Sequence, residues 1–90
     1  MRLARRYLVN GRVQGVGFRF FVADAAEREG LHGWVRNLPD GSVEASVEGD
    51  REALDRFELR LRQGPPLSRV DQVEVSGTGA TGHDTGFSIR

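Results

Sequence analysis

The 90-residue chain contains no cysteine and no lysine. Without cysteine it has no disulfide bond, no thiolate metal site and no cysteine nucleophile. Without lysine it has no Schiff-base chemistry, no lysine general base and no phosphate-binding lysine of the Walker type. All 13 basic residues are therefore arginines, and they balance 13 acidic residues to a formal net charge of zero.

The sequence also lacks a long apolar run and an amino-terminal segment of signal-peptide type. Apolar residues make up 38% and charged residues 29% of the chain, which is typical of a soluble globular domain. We therefore expect one domain over residues 1–90, in the cytoplasm and without a membrane partner. A domain of this size buries only about 60–65% of its unfolded surface, so we expect a site near the surface.

Glycine is concentrated in the segment Gly11–Arg19, which reads GRVQGVGFR. Its three glycines allow positive φ angles and a close approach of the backbone to a ligand. The segment leads into a predicted helix, whose first N–H groups carry partial positive charge. A cation in the first turn opposes the helix dipole by roughly 0.3–1 kcal/mol, so Arg19 is expected to meet a negative ligand or an acidic partner.

The first 19 residues carry five arginines and no acidic residue. We expect this local positive charge to steer an anionic ligand. An extended basic arm for nucleic acid is the alternative, which the neutral total charge disfavours. The five arginines are Arg2, Arg5, Arg6, Arg12 and Arg19.

Hydrophobic periodicity predicts the order β-α-β-β-α-β with a possible additional strand. The predicted helices run from Phe18 to Gly30 and from the N-cap Asp50 to Gly64. The predicted strands cover residues 5–10, 33–37 and 42–48, the stretch with Val70, Val73 and Val75, and residues 87–89, with a loop over 76–86. This order favours an α+β fold, a ferredoxin-like split βαβ sandwich whose antiparallel sheet of four to five strands carries two helices on one face.

Residues 42–48 alternate between apolar and polar side chains. The apolar set is predicted to face the core, and the polar set to face solvent. An exposed strand face with two glutamates would repel a nucleic-acid backbone. The polar set is Ser42, Glu44, Ser46 and Glu48.

Two motifs of this sequence resemble those of the acylphosphatase family. The segment Val9–Arg19 is similar to the family's phosphate loop, and Gly33–Asn37, followed by Gly41-Ser42-Val43 and Gly49, is similar to its other signature at the usual spacing. The resemblance covers essentially the whole chain. It implies a hydrolase that splits the carboxyl–phosphate anhydride of small acyl phosphates into a carboxylate and inorganic phosphate, without a metal or another cofactor.

The resemblance also implies the roles of individual residues. Arg19 would bind the phosphoryl group, and Asn37 would position the attacking water. The chain stops at Arg90, whereas many family members have an aromatic residue after the Phe-x-Ile strand. We expect Gln14 to contribute its backbone more surely than its side chain. The backbone amides of the cradle would be those of Gln14, Gly15, Val16, Gly17, Phe18 and Arg19.

Other residues are expected to have structural roles. Arg12 and Arg36 are interpreted as solvated arginines that raise the local potential, and Trp34 as half-buried strand packing. His32 and His83 have no partner at metal-ligand spacing, so neither is expected to be catalytic. The aromatic residues Phe18, Phe21 and Phe57 fit core positions of helices.

Three other functions remain open at this point. The domain could bind a phosphorylated ligand without turnover, bind single-stranded RNA on its sheet, or act within a larger maturation or carbamoyl-transfer assembly. We expect a monomer with a small acyl phosphate as its partner and with no nucleic-acid partner.

Overall fold

The computed structural model describes residues 2–79 and 86–90. The elements in this part of the chain are β1 (Arg2–Arg12), α1 (Phe18–Arg28), β2 (His32–Asn37), β3 (Val43–Asp50), α2 (Arg51–Gln63), β4 (Arg69–Thr78) and β5 (Phe87–Ile89). The five strands form one sheet with the order β4-β1-β3-β2-β5, and helices α1 and α2 pack against it and against each other. The predicted order of elements and the ferredoxin-like α+β fold are confirmed.

The core lies between the helices and one face of the sheet. Tyr7 of β1 makes an edge contact with Phe57 of α2, with ring centroids 5.5 Å apart. An apolar stripe of each helix is buried there. Phe18 and Phe57 lie in these stripes as predicted, whereas Phe21, also predicted to be in the core, is only partly buried. None of the described helices is long and apolar enough to cross a membrane. The buried stripes are Phe18, Val22, Ala25 and Ala26 in α1 and Leu54, Phe57 and Leu61 in α2.

The last strand departs from the predicted antiparallel sheet. The other neighbouring strands pair antiparallel, but β5 pairs parallel to β2, with Gly33 opposite Phe87. The reason is topological: β5 lies at the edge opposite β4 and runs in the reverse direction to β4, which makes it parallel to β2. The middle of the predicted loop, residues 80–85, lies outside the described residues.

Strand β1 does not stop at Asn10 as predicted. A register shift between Asn10 and Gly11 lets its pairing with β4 continue as far as Arg12. At Gly11, an added Cβ atom would lie 2.1 Å from the carbonyl oxygen of Arg69. Gly11 therefore belongs to the sheet, where the close approach of β4 requires glycine, and the loop begins after Arg12.

Strand β4 is also longer than predicted. It extends to Thr78, and Ser76, which was predicted to begin a loop, pairs with Arg6 of β1. The spacing between Val70 and Val73 does not fit an alternating strand, but the register shift places Asp71 as an extra residue between two β1 partners. Both valines consequently pack against the core.

The polar face of β3 is not exposed as predicted. Glu44 and Glu48 are each 5% exposed, because β3 is the central strand and arginines from its neighbours fold over it. Ser42, just before β3, is buried as well. Arg6 of β1 and Arg36 of β2 both donate hydrogen bonds to Glu44, the second at 2.6 Å. Arg36 is exposed, as interpreted, but its charge is paired with that of Glu44. Glu44 and Glu48 are buried, so they do not form the exposed acidic face invoked against nucleic acid. The lack of a nucleic-acid partner stays a prediction.

The cluster of positive charge at the start of the chain is largely neutralised in the fold. Arg2 pairs with Glu48, Arg5 with Asp55 and Glu58, and Arg6 with Glu44. Three of the five arginines are therefore paired with acidic residues, and Arg12 and Arg19 do not take part in these pairs. Steering of an anion by the segment stays a prediction. These acidic partners are remote in the sequence, which is why a count over the first 19 residues overestimates the positive charge.

The carboxyl of Glu44 provides a test of how far Arg6 and Arg36, which fold over it, stabilise the protein. Burial opposes its ionisation, but hydrogen bonds from Arg6 and Arg36 outweigh burial and hold the pKa of Glu44 below its ordinary value. Such a group stabilises the fold above its unfolded-state pKa of about 4.3, and this stabilisation is lost as the pH falls through the folded-state pKa. We expect E44Q to lower the free energy of unfolding by about 1–2 kcal/mol at pH 7.

Urea unfolding of E44Q and the wild type at pH 7 and at about pH 3 checks this prediction, since the difference between them should shrink at the lower pH. The matched control is E74Q, because Glu74 lies on β4 and is exposed. A difference between E44Q and the wild type that is the same at both pH values would contradict the prediction.

Candidate active site

A short loop, residues 13–17, connects β1 directly to α1. Gly15 and Gly17 have φ angles of 73° and 76°, in the left-handed region. A Cβ atom added at either position would meet nothing within 4 Å. The backbone conformation, and not a lack of space, therefore requires glycine at these two positions.

The first turn of α1 is open to an anion. Its N-cap is Gly17, which has no side chain to cap the helix, and the turn contains no acidic residue. The first N–H groups of an α-helix have no acceptor within the helix, and they carry partial positive charge. Arg19 adds a guanidinium to the same turn, so N–H groups and a fixed cation lie together.

A cavity of about 100 Å³ lies beside this turn and brings the two predicted catalytic residues together. Arg19 from α1 and Asn37 from the end of β2 both line it, as do the two loop glycines. Of the six residues predicted to form the cradle, Gln14 and Val16 are not among those that line the cavity, and Val16 packs against the core instead. The lining residues are Val13, Gly15, Gly17, Phe18, Arg19, Phe20 and Asn37.

Asn37 is held by a closed hairpin turn. It is the last residue of β2 and lies opposite Val43, the first residue of β3. The Leu38 N–H donates to the Ser42 carbonyl at 2.8 Å. The Ser42 hydroxyl and backbone N–H both donate to Asp40 and hold the pKa of that carboxyl below its ordinary value. The position of Asn37 at the cavity is thus fixed by a strand end and an ordered turn.

The side chain of Gln14 connects the loop to this hairpin. Its Nε2 group donates to the carbonyl oxygens of Leu38 and Ser42, at 2.8 and 2.9 Å. The expectation that Gln14 acts through its backbone thus missed a side-chain role, because these acceptors are 24 and 28 positions away in the sequence. The two parts of the site are therefore tied to each other by one amide group.

We expect Q14M, which keeps the approximate size of the side chain but removes both donors, to lower the free energy of unfolding by about 1–2 kcal/mol. The loss should not be larger, since the Leu38 and Ser42 carbonyls each keep a backbone hydrogen bond. Urea unfolding measures the effect, and Q72M is the matched control because Gln72 is exposed on β4. Equal stability of Q14M and Q72M would contradict a bridging role for Gln14.

Arg19 is oriented by the last residue of the chain. Its Nη1 group donates to the main-chain oxygen of Arg90 at 2.9 Å, across 71 positions of sequence. Arg90 is itself held in place, because its N–H donates to the Val35 carbonyl at 2.8 Å and its guanidinium lies 4.6 Å from the ring centroid of Trp34. No pattern in the sequence indicates this contact, which forms only when β5 pairs with β2.

Neither histidine is among the described residues that line the cavity. The Nδ1 atom of His32 accepts a hydrogen bond from the Gly86 N–H at 3.2 Å and so ties β2 to the segment before β5. His83 lies outside the described residues. Within residues 2–79 and 86–90, no three His, Asp or Glu side chains are grouped so that they could hold a metal ion.

The arrangement suits a small, doubly charged anion. Backbone N–H groups and a guanidinium both donate to anionic oxygens, and such charge-assisted bonds are roughly twice as strong as neutral ones. The side-chain amide of Asn37 adds both a donor and an acceptor at the same cavity. A phosphoryl group with a water molecule beside it would use all of these groups.

Comparison with known proteins shows the family to which the chain belongs. Residues 5–89 match the family model described as Acylphosphatase. The chain is 51% identical over 89 residues to an acylphosphatase of Anaeromyxobacter dehalogenans, covering 99% of this chain and 96% of that protein. It is 54% identical over 76 residues to an acylphosphatase of Thermococcus kodakarensis, covering 83% and 84%. A crystal structure of acylphosphatase from Bacillus subtilis superimposes with a TM-score of 0.94 at 43% identity, covering 100% and 99% of the two chains.

Proposed function

The chain belongs to the acylphosphatase family and is an enzyme of that kind, and we propose that Arg19 and Asn37 carry its reaction. Arg19 binds the phosphoryl group of a small acyl phosphate, and Asn37 orients the water that attacks it. One observation carries this proposal: residues from α1 and from the end of β2, far apart in the sequence, line the same small cavity as the loop glycines.

The binding step follows from charge. A phosphoryl group carries between one and two negative charges at neutral pH, and a guanidinium can bind two of its oxygens at once. Arg19 has five N–H donors and uses one nitrogen for the main-chain oxygen of Arg90, so donors remain for the substrate. In this proposal, the backbone N–H groups of the predicted cradle residues that line the cavity, Gly15, Gly17, Phe18 and Arg19, bind the remaining phosphoryl oxygens at the helix N-terminus.

The chemical step needs little acid or base catalysis. The leaving group is a carboxylate with a solution pKa of about 4, so it departs without being protonated. Phosphoryl transfer passes through a loose transition state in which positioning and charge stabilisation supply most of the catalysis. Within residues 2–79 and 86–90, the residues that line the cavity include no carboxylate and no histidine, which supports a mechanism that does not depend on a protein base.

Asn37 then aligns the water. Its carbonyl oxygen accepts a hydrogen bond from the water and directs the water oxygen toward phosphorus, in line with the departing carboxylate. The new P–O bond forms as the bond to the acyl oxygen breaks, and the electron pair leaves with the carboxylate. The water proton passes to a phosphoryl oxygen of the substrate, so the products are a carboxylate and inorganic phosphate.

The proposal also includes the setting of the reaction: the protein acts in the cytoplasm, as a monomer and without a metal.

Hydrolysis of benzoyl phosphate by the wild-type protein in excess chelator tests the proposal. We expect turnover that chelator does not reduce, and competitive inhibition by inorganic phosphate, which is both the product and a ligand for the cradle. Saturable phosphate binding by a folded protein without any turnover would instead favour a phosphate-binding domain.

A further inference from the structure

Phe20 is an aromatic residue that the fold leaves outside the core. It is 69% exposed, although its neighbours Phe18 and Phe21 pack together with ring centroids 6.0 Å apart. The helical period explains the exposure, because Phe20 does not fall on the stripe that faces the sheet. The period does not explain why an exposed position next to Arg19 carries a large apolar ring.

Phe20 is one of the residues of the active-site cavity. Phe20 lines it together with Arg19 and Asn37. The cavity measures about 100 Å³, whereas pockets that enclose a whole drug-sized ligand measure roughly 300–1,000 Å³. It can therefore enclose the phosphoryl end of a substrate but not an acyl group of any size, which has to lie at the cavity mouth.

We propose that Phe20 is the specificity-determining residue for the acyl group, and that it selects acyl phosphates with a flat aromatic or apolar acyl group over acetyl phosphate. This inference rests on the proposed function of Arg19 and Asn37. A benzoyl ring at the mouth has an apolar face that stacks on the exposed ring of Phe20 or meets it edge-on. An acetyl group offers only one methyl group for such a contact.

The expected kinetic signature follows from the position of this contact. The acyl ring is remote from the P–O bonds that form and break, so Phe20 contacts it equally in the ground state and in the transition state. Uniform binding of this kind changes KM and leaves kcat almost unaltered. We expect F20A to raise KM for benzoyl phosphate about tenfold, with little change in kcat, and to leave KM for acetyl phosphate nearly unchanged.

The experiment compares KM and kcat of the wild type, F20A and F20W on benzoyl phosphate and acetyl phosphate, with the inhibition constant of inorganic phosphate as a third readout. F20W should retain the low KM for benzoyl phosphate, and the phosphate constant should not change in either variant. The matched control is L59A, because Leu59 is 67% exposed on α2 and does not line the cavity.

An equal change on both substrates in F20A, or no change on benzoyl phosphate, would overturn the inference and leave the roles of Arg19 and Asn37 untouched. A folded wild type that is inert on both substrates would instead overturn the proposed function, and the inference would fall with it. A wild type that hydrolyses both substrates, with a rise in KM confined to benzoyl phosphate in F20A, supports both.

Discussion

Replacing Arg19 by alanine is expected to lower kcat/KM for benzoyl phosphate by at least about 10²–10³-fold. The guanidinium is the fixed cation at the cavity, in a helix turn without an acidic residue. Its removal takes away both the charge and the forked geometry that match the phosphoryl oxygens. The inhibition constant of inorganic phosphate should rise as well, because the product binds the same donors. Steady-state hydrolysis with phosphate as inhibitor measures both effects.

Two further variants make this result specific. R12A removes an arginine that is close in sequence but does not line the cavity, and it should retain most of the activity. R19K keeps the positive charge but not the planar fork, so it should restore little of the rate. Circular dichroism establishes that each variant is folded. A folded R19A with kcat/KM within a few-fold of the wild type would exclude Arg19 as the phosphoryl ligand.

Replacing Asn37 by alanine is expected to lower kcat by about 10²-fold or more, with a much smaller effect on phosphate binding. The proposed hydrogen bond from water to the side-chain carbonyl matters for alignment of the attack, which occurs only in the transition state. R19A and N37A should therefore differ in phosphate binding, because R19A weakens it and N37A does not. Single-turnover rates and the inhibition constant of phosphate distinguish them.

N10A is the matched control for N37A, since Asn10 lies on β1 and outside the cavity. N37D is informative as well, because a carboxylate would repel the phosphoryl group and should raise KM in addition to lowering kcat. A near-normal kcat in folded N37A would remove Asn37 from the mechanism and leave the binding role of Arg19 in place.

Local patterns in the sequence predict much of this fold. The stripes of α1 and α2 follow the helical period, and the alternation of residues 42–48 places Val43, Ala45 and Val47 on the core side. What local patterns do not contain is the pairing between strands. Gly11 looks like a loop glycine until β4 is found against it, and the direction of β5 depends on which edge it joins.

Exposure is a second property that local patterns predict poorly. The alternating pattern of residues 42–48 places Glu44 on the correct face of the sheet. It does not predict that the side chain of Glu44 is buried. Burial arises because Arg6 and Arg36 reach over the central strand from both sides. A polar side chain on a central strand is therefore exposed only if its neighbours on the adjacent strands are short.

The candidate site was also predicted only in part. Residue type and position alone predict the glycine-rich turn and Arg19, and the resemblance to a family predicts Asn37. The Gln14 bridge and the contact between Arg19 and Arg90 were not predicted, because both join segments that come together only in the folded chain. Phe20 was not predicted, because the helical period marks only residues that recur on the buried face of α1.

The Gln14 bridge has a consequence for protein engineering. A phosphate loop is an attractive module to graft onto another scaffold, and residues 13–19 are short enough to copy. In this protein, however, the loop is aligned by hydrogen bonds to the carbonyls of Leu38 and Ser42, in a different hairpin. A graft that copies the loop alone would carry the glycines and the arginine without the acceptors that set their orientation. The smallest transferable unit is therefore the loop together with the turn after β2.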